Sequence, residues 1–160
     1  MRQRIGIGSK SVLSMALVAA ATTLAGPVTV TVPASTDATL DAAIASGYLT
    51  GGTTYEDLLA ADDLVVNGAG RLIIDKDLAS AGYTGEVHVV AGSTLRLTTS
   101  GALGDTAHGT FVADGATLET FTDGEANTLN FLGEPLSFAG TGVDGEGALV
   151  SLEFQSDRKR

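Results

Sequence analysis

Residues 83–118 read YTGEVHVVAGSTLRLTTSGALGDTAHGTFVADGATL, and their pattern sets the expected fold. Short apolar runs alternate with glycine-centred turns. In TLRLT (residues 94–98) Leu95 and Leu97 point to one side and Arg96 to the other, the period-two pattern of a half-buried strand. His88, between Val87 and Val89, falls on the outward side of its own strand. A glycine interrupts almost every window, which disfavours a helix of any length here.

Working outward, the same phrase returns. VNGAGRL (66–72), VAGSTL (90–95), VADGATL (112–118) and VDGEGAL (143–149) each run from a Val through a glycine turn to a Leu that opens the next strand. A segment with two or three short strands cannot bury its apolar side alone. Stacking such segments about 4.8 Å apart pairs strand with strand and buries a continuous ladder of Val and Leu. RLIID (71–75) turns Leu72 and Ile74 inward, and VSLEF (150–154) places Val150, Leu152 and Phe154 on one face. A sandwich with hairpin turns would also carry glycine, but it would not repeat one phrase at every turn of the chain. The expected fold is all-β: a right-handed parallel β-helix, a solenoid of about four coils, with a short helical N-terminal segment.

The first residues have another character. Arg2, Arg4 and Lys10 precede the small and apolar run VLSMALVAAATTLA (12–25), a basic region followed by a hydrophobic one, as in a secretory signal peptide. Cleavage is expected after Ala25 or after Ala34. The run is too short to span a bilayer, which needs about 20 apolar residues, and no membrane span is expected in the mature chain. The expected organisation is a signal peptide over 1–34, an N-terminal capping segment over 35–63, β-helix repeats over 64–154 and a tail over 155–160. If the stretch GPVTVTVPA (26–34) survives cleavage, its alternating Val28, Val30 and Val32 make it a strand. Residues 35–46 are a helix candidate, capped by Ser35, Thr36 or Asp37 and stopped by Gly47. Residues 54–61 are a second, with Thr53 and Glu56 at capping-box spacing.

Composition narrows the function. The net charge is −10, with 19 acidic residues against nine basic ones, six of which lie in the leader or at the C-terminus. Such a surface repels phosphate backbones, so no nucleic-acid partner is expected. Cysteine is absent, which rules out disulfides, zinc–thiolate chemistry and cysteine nucleophiles.

Residues 83–118 resemble the autotransporter-associated β-strand repeat of bacterial autotransporter passenger domains. The matching elements are Tyr83-Thr84-Gly85, Ala91-Gly92-Ser93-Thr94-Leu95, Ala102-Leu103-Gly104, and Gly109-Thr110 leading to Gly115-Ala116-Thr117-Leu118. PLSFAGTGVDGEGALV (135–150) resembles the phrase that joins such repeats. The resemblance covers roughly a third of the chain. It implies a β-helix displayed at or beyond the outer membrane, a stalk or adhesive surface rather than a catalyst.

Sites of chemistry are sparse. GTGVDG (140–145) matches a dinucleotide-binding glycine pattern but lacks the strand–helix context and reads as a turn. His88 and His108 have no zinc spacing, and Ser93 and Ser100 lie in no nucleophile motif. The densest carboxylates are Asp62-Asp63 and Asp75-Lys76-Asp77. The expectation is a structural or adhesive module of an exported bacterial surface or secreted protein, with no catalytic residues, no cofactor and no metal. Its partners would be host or cell-surface glycans or proteins, with self-association through exposed coil ends. The alternatives are a β-helical carbohydrate-active enzyme, with acids lining one groove, and a truncated fragment of a longer autotransporter with no function of its own.

Overall fold

The computed structural model describes residues 26–123 and 128–153. Residues 1–25, most of the expected signal peptide, Phe154 and the expected tail over 155–160 lie outside the described residues.

The strands are β1 (Val28–Thr31), β2 (Asp37–Thr39), β3 (Leu49–Thr50), β4 (Asp63–Asn67), β5 (Arg71–Ile74), β6 (Glu86–Val89), β7 (Thr94–Leu97), β8 (Thr110–Val112), β9 (Thr117–Thr122), β10 (Leu136–Phe138) and β11 (Leu149–Glu153). The helices are α1 (Leu40–Ala45), α2 (Tyr55–Leu59) and α3 (Leu78–Ala81). One sheet has six strands in the order β10-β8-β6-β4-β1-β3, and the other has five in the order β11-β9-β7-β5-β2. From β4 onward, successive strands alternate between the sheets, so each pairs with the strand two places later in the chain. These pairings are parallel, and among the described residues only β3 runs antiparallel, against β1.

This corrects the expected all-β, right-handed parallel β-helix. The architecture is mixed α/β: two parallel-dominated sheets of six and five strands with three short helices. Two local causes stand out. Gly47, at φ +71°, ends α1 and turns the chain back so that β3 lies antiparallel on β1. Side-chain caps also start helices where the strand pattern pauses. Asp77 Oδ1 accepts from Ser80 N (2.9 Å) at the start of α3, and Gly82, at φ +92°, closes that helix after one turn.

The capping segment differs in detail too. Residues 37–39 are expected to be helical, but they pair with Arg71, Leu72 and Ile73 of β5 as a strand, so α1 starts only at Leu40, capped by Thr39. Ala38 favours a helix, but Asp37 and Thr39 do not, and the ladder hydrogen bonds to β5 outweigh the small net preference. In α2 the capping box is one residue later than expected. Thr54 Oγ1 accepts from Asp57 N (3.1 Å), and Asp57 Oδ2 accepts from Thr54 N (3.0 Å) and Thr53 N (2.8 Å). These donated hydrogen bonds hold the Asp57 carboxyl below its ordinary pKa.

The core lies between the inner faces of the two sheets. Leu72, Leu95 and Leu118 are register partners on β5, β7 and β9, all buried, and Leu149 of β11 continues the row. Val66, Val89 and Val112 form the facing row, so Val89 rather than Val90 is the partner of Val66. The row then passes to Phe138, while Val143 sits in a 3-10 turn (Val143–Gly145). Leu136, Phe138 and Leu149 occupy positions that are buried one strand earlier, yet they are exposed, which marks the open end of the apolar column.

Tyr83 is fully buried, and its hydroxyl donates to Glu86 O (2.7 Å). Burial pushes the Tyr83 pKa far above its ordinary value of 10.0, chiefly because the phenolate would be desolvated. The raised folded-state pKa means this stabilisation is fully present below about pH 10. It is lost as pH rises from there toward the folded value, at up to about 1.4 kcal/mol per pH unit. Chemical denaturation at pH 8 to 11.5 will show that fall. Tyr83→Phe will be about 1 kcal/mol less stable at pH 8 but will lose less stability above pH 10.

Candidate functional site: an acid–histidine cleft

The period-two pattern sends Asp63 and Val65 of β4, Glu86 and His88 of β6, and Phe111 of β8 to the outer face of the six-stranded sheet. Asp63 is the register partner of Glu86, Val65 of His88, and His88 of Phe111. Parallel pairing therefore makes neighbours of side chains 23 residues apart in sequence. The His88 and Phe111 rings stack, with centroids 5.0 Å apart and planes 13° from parallel. Glu86 Oε2 lies 3.0 Å from His88 Nε2.

Carboxylate oxygens of Asp63 and Glu86 and a ring nitrogen of His88 all lie within 4.8 Å of one another, on half-buried side chains. The edge of this group opens into a cleft of about 490 Å³ whose walls include Asp62, Asp63, Thr84, Glu86 and His108. Residues 59–61, at the end of α2, line it as well. His108 Nδ1 is 2.9 Å from Asp105 Oδ1, and this contact is the largest cause of the lowered Asp105 pKa. The cleft thus combines carboxylates with an imidazole, able to hold a cation or to accept hydrogen bonds from hydroxyls.

The other carboxylate group does not join it. Lys76 Nζ pairs with Asp41 (2.9 Å) and lies over the Tyr55 ring, and Asp77 caps α3. Ser93 is buried and its hydroxyl donates to Val66 O (3.0 Å), a structural tie between neighbouring strands. Ser100 Oγ accepts from Asn130 N (2.9 Å). Among the described residues, neither serine hydroxyl is hydrogen-bonded to a histidine. On the five-stranded sheet, Glu119 is held between two arginines. Arg96 Nε is 2.7 Å from Oε2, and Arg71 Nη2 is 3.3 Å from Oε1. Arg71 Nε also approaches Oε2 at 2.9 Å, but its N–H has no aligned acceptor. Arg71 reaches Asp37 as well, at 2.9 and 3.0 Å, so this network ties β2, β5, β7 and β9 together.

Reading along the sequence missed the Asp63–Glu86–His88 group because no local motif joins its members. The available signal was the offset: Asp63 and Glu86 are one repeat spacing apart, and Glu86 and His88 are two residues apart on one strand.

Comparison with protein-family models, with curated proteins and with solved structures gives no match. The autotransporter resemblance therefore rests on the quoted residues alone.

Proposed function

We propose that this chain is a non-catalytic adhesive module of an exported bacterial surface or secreted protein, and that its outer six-stranded face binds cell-surface glycans. The observation that carries this reading is the stacked His88–Phe111 pair on an outward sheet face beside an acid-lined cleft. Phe111 is 40% exposed. An exposed aromatic platform flanked by a few polar groups suits a sugar ring or a partner's aromatic side chain. The signal-like leader and the resemblance to passenger repeats support the exported setting. Among the described residues, no helix is long and apolar enough to cross a membrane.

Glycan-array binding of the purified chain tests the proposal. Phe111→Ala is expected to weaken binding at least tenfold while leaving the melting temperature within a few degrees. Binding indifferent to that substitution would refute the proposed face, and binding to immobilised surface proteins alone would replace glycans as the partner.

One observation favours a second reading. Asp63 and Glu86 place two carboxylates in the wall of one cleft, as a carbohydrate-active enzyme does. Their oxygens approach within 4.8 Å, however. That is closer than the roughly 5–9.5 Å between carboxyl groups that flank a glycosidic bond. Release of reducing sugars from a polysaccharide panel, lost on Glu86→Gln, would establish the enzyme and displace the adhesive module.

A further inference from the structure

We propose that Asp63, Glu86 and His88 form a binding site for a divalent transition-metal ion of the zinc class, bridging β4 and β6. The inference stands independently of the adhesive reading.

Two strands carry the ligands. Asp63 and Glu86 are direct partners across a parallel pair, and His88 lies two residues beyond Glu86 on the same face. The backbone register alone therefore converges three ligating side chains, and their donor atoms already lie within 4.8 Å of one another. Metal bonds of about 2.0–2.2 Å place such atoms roughly 3–4 Å apart, a difference that rotation of the half-exposed carboxylates covers. Stacking on Phe111 fixes the imidazole plane, so His88 is oriented before an ion arrives. His88 Nε2 faces Glu86 Oε2 at 3.0 Å, and an ion entering here would take the place of the proton between them.

Donor chemistry selects the metal class. Two carboxylates and one imidazole suit zinc, cobalt or nickel. Calcium prefers six to eight oxygens, and magnesium keeps most of its water. Three protein ligands leave a coordination position open, and the cleft beside Asp63 and Glu86 gives a further ligand access to it. The ion would also clamp strands whose sequence positions are 23 apart, so binding would stabilise the fold.

Isothermal titration of the metal-free full chain with zinc chloride, repeated with cobalt and calcium chlorides, tests the proposal. The expected result is one zinc per chain and a rise in melting temperature of about 5–10 °C at a hundredfold excess over Kd. Cobalt should give a visible absorption band, and calcium should bind at least tenfold more weakly. His88→Gln and Asp63→Asn, each checked for native circular dichroism, should each lower zinc affinity at least tenfold. Glu146→Gln, on an exposed turn, should leave it unchanged. If one variant fails to fold, the other still decides. No stoichiometric binding, or equal losses in Glu146→Gln and His88→Gln, would overturn the site and reduce the effect to loose association with an acidic surface.

Discussion

A chain that begins at Ser35 will not fold, whereas one that begins at Gly26 will melt cooperatively. Strand β1 is an interior strand of the six-stranded sheet, hydrogen-bonded to β4 on one side and β3 on the other. Val28, Val30 and Val32 are 0–1% exposed. At about 1.5–3 kcal/mol for each buried aliphatic side chain, their removal costs roughly 5–9 kcal/mol before any ladder hydrogen bond is counted. Small domains have only about 5–15 kcal/mol in total. Circular dichroism melts of the two chains provide the check. A Ser35 chain with the same transition as the Gly26 chain would show β1 to be dispensable. The expectation bears on the leader as well, since cleavage after Ala25 retains β1 and cleavage after Ala34 deletes it.

Gly68→Ala will destabilise the fold by about 2–5 kcal/mol, and Gly92→Ala by only about 1–2 kcal/mol. Both glycines have positive φ, +91° and +84°, so each alanine meets a similar backbone cost of about 1–2 kcal/mol. Their surroundings separate them. A Cβ at Gly68 would overlap the carbonyl oxygen of Val32 and lie 2.9 Å from both Val32 N and Val32 C, whereas one at Gly92 has no neighbour within 4 Å. Val32 cannot give way easily. Its N donates to Asn67 O (3.0 Å) and its O accepts from Gly70 N (3.1 Å), so moving it breaks the junction of β1 with the β4–β5 turn. Such overpacking adds about 1–3 kcal/mol. Urea denaturation of both variants measures the difference, and equal losses would contradict the close approach of the two segments.

The inward faces of β5 and β7 are legible in the sequence, because period-two alternation needs no long-range information. Leu72, Ile74, Leu95 and Leu97 are all buried, as that alternation requires. In β11, by contrast, it is Leu149 that continues the inward row, and Val150 and Leu152 pair with Glu119 and Phe121 instead. The fold class was misread, and the reasons are tertiary. The extended start of the capping segment depends on β5, 34 residues away, and the antiparallel β3 depends on where the turn at Gly47 delivers the chain. Helix α3 is a single turn whose Asp77 cap is visible only once Ser80 is seen to use it. The repeat phrase locates the Leu row but places the Val row one residue late at Val90, because the turns repeat in sequence at a different offset from the hydrogen-bonded partners Val66 and Val89. Of the candidate site, Asp63 and His88 each stand out in the sequence only singly. What united them was strand register, which a list of local motifs does not encode.

That register is the claim on which the cleft, the stacked rings and the metal site depend. The chain has no cysteine of its own, so an introduced pair reports cleanly. Thr29 of β1 and Val65 of β4 are parallel partners, whereas Asn67 lies two residues further along β4. Partners on adjacent strands are about 4.8 Å apart, inside the Cα window for a disulfide, and the offset position is about 8 Å away, outside it. Under mild oxidation, Thr29→Cys with Val65→Cys should cross-link quantitatively in the folded protein, while Thr29→Cys with Asn67→Cys should remain reduced. Cross-linking of the offset pair in preference to the aligned one would contradict the parallel register.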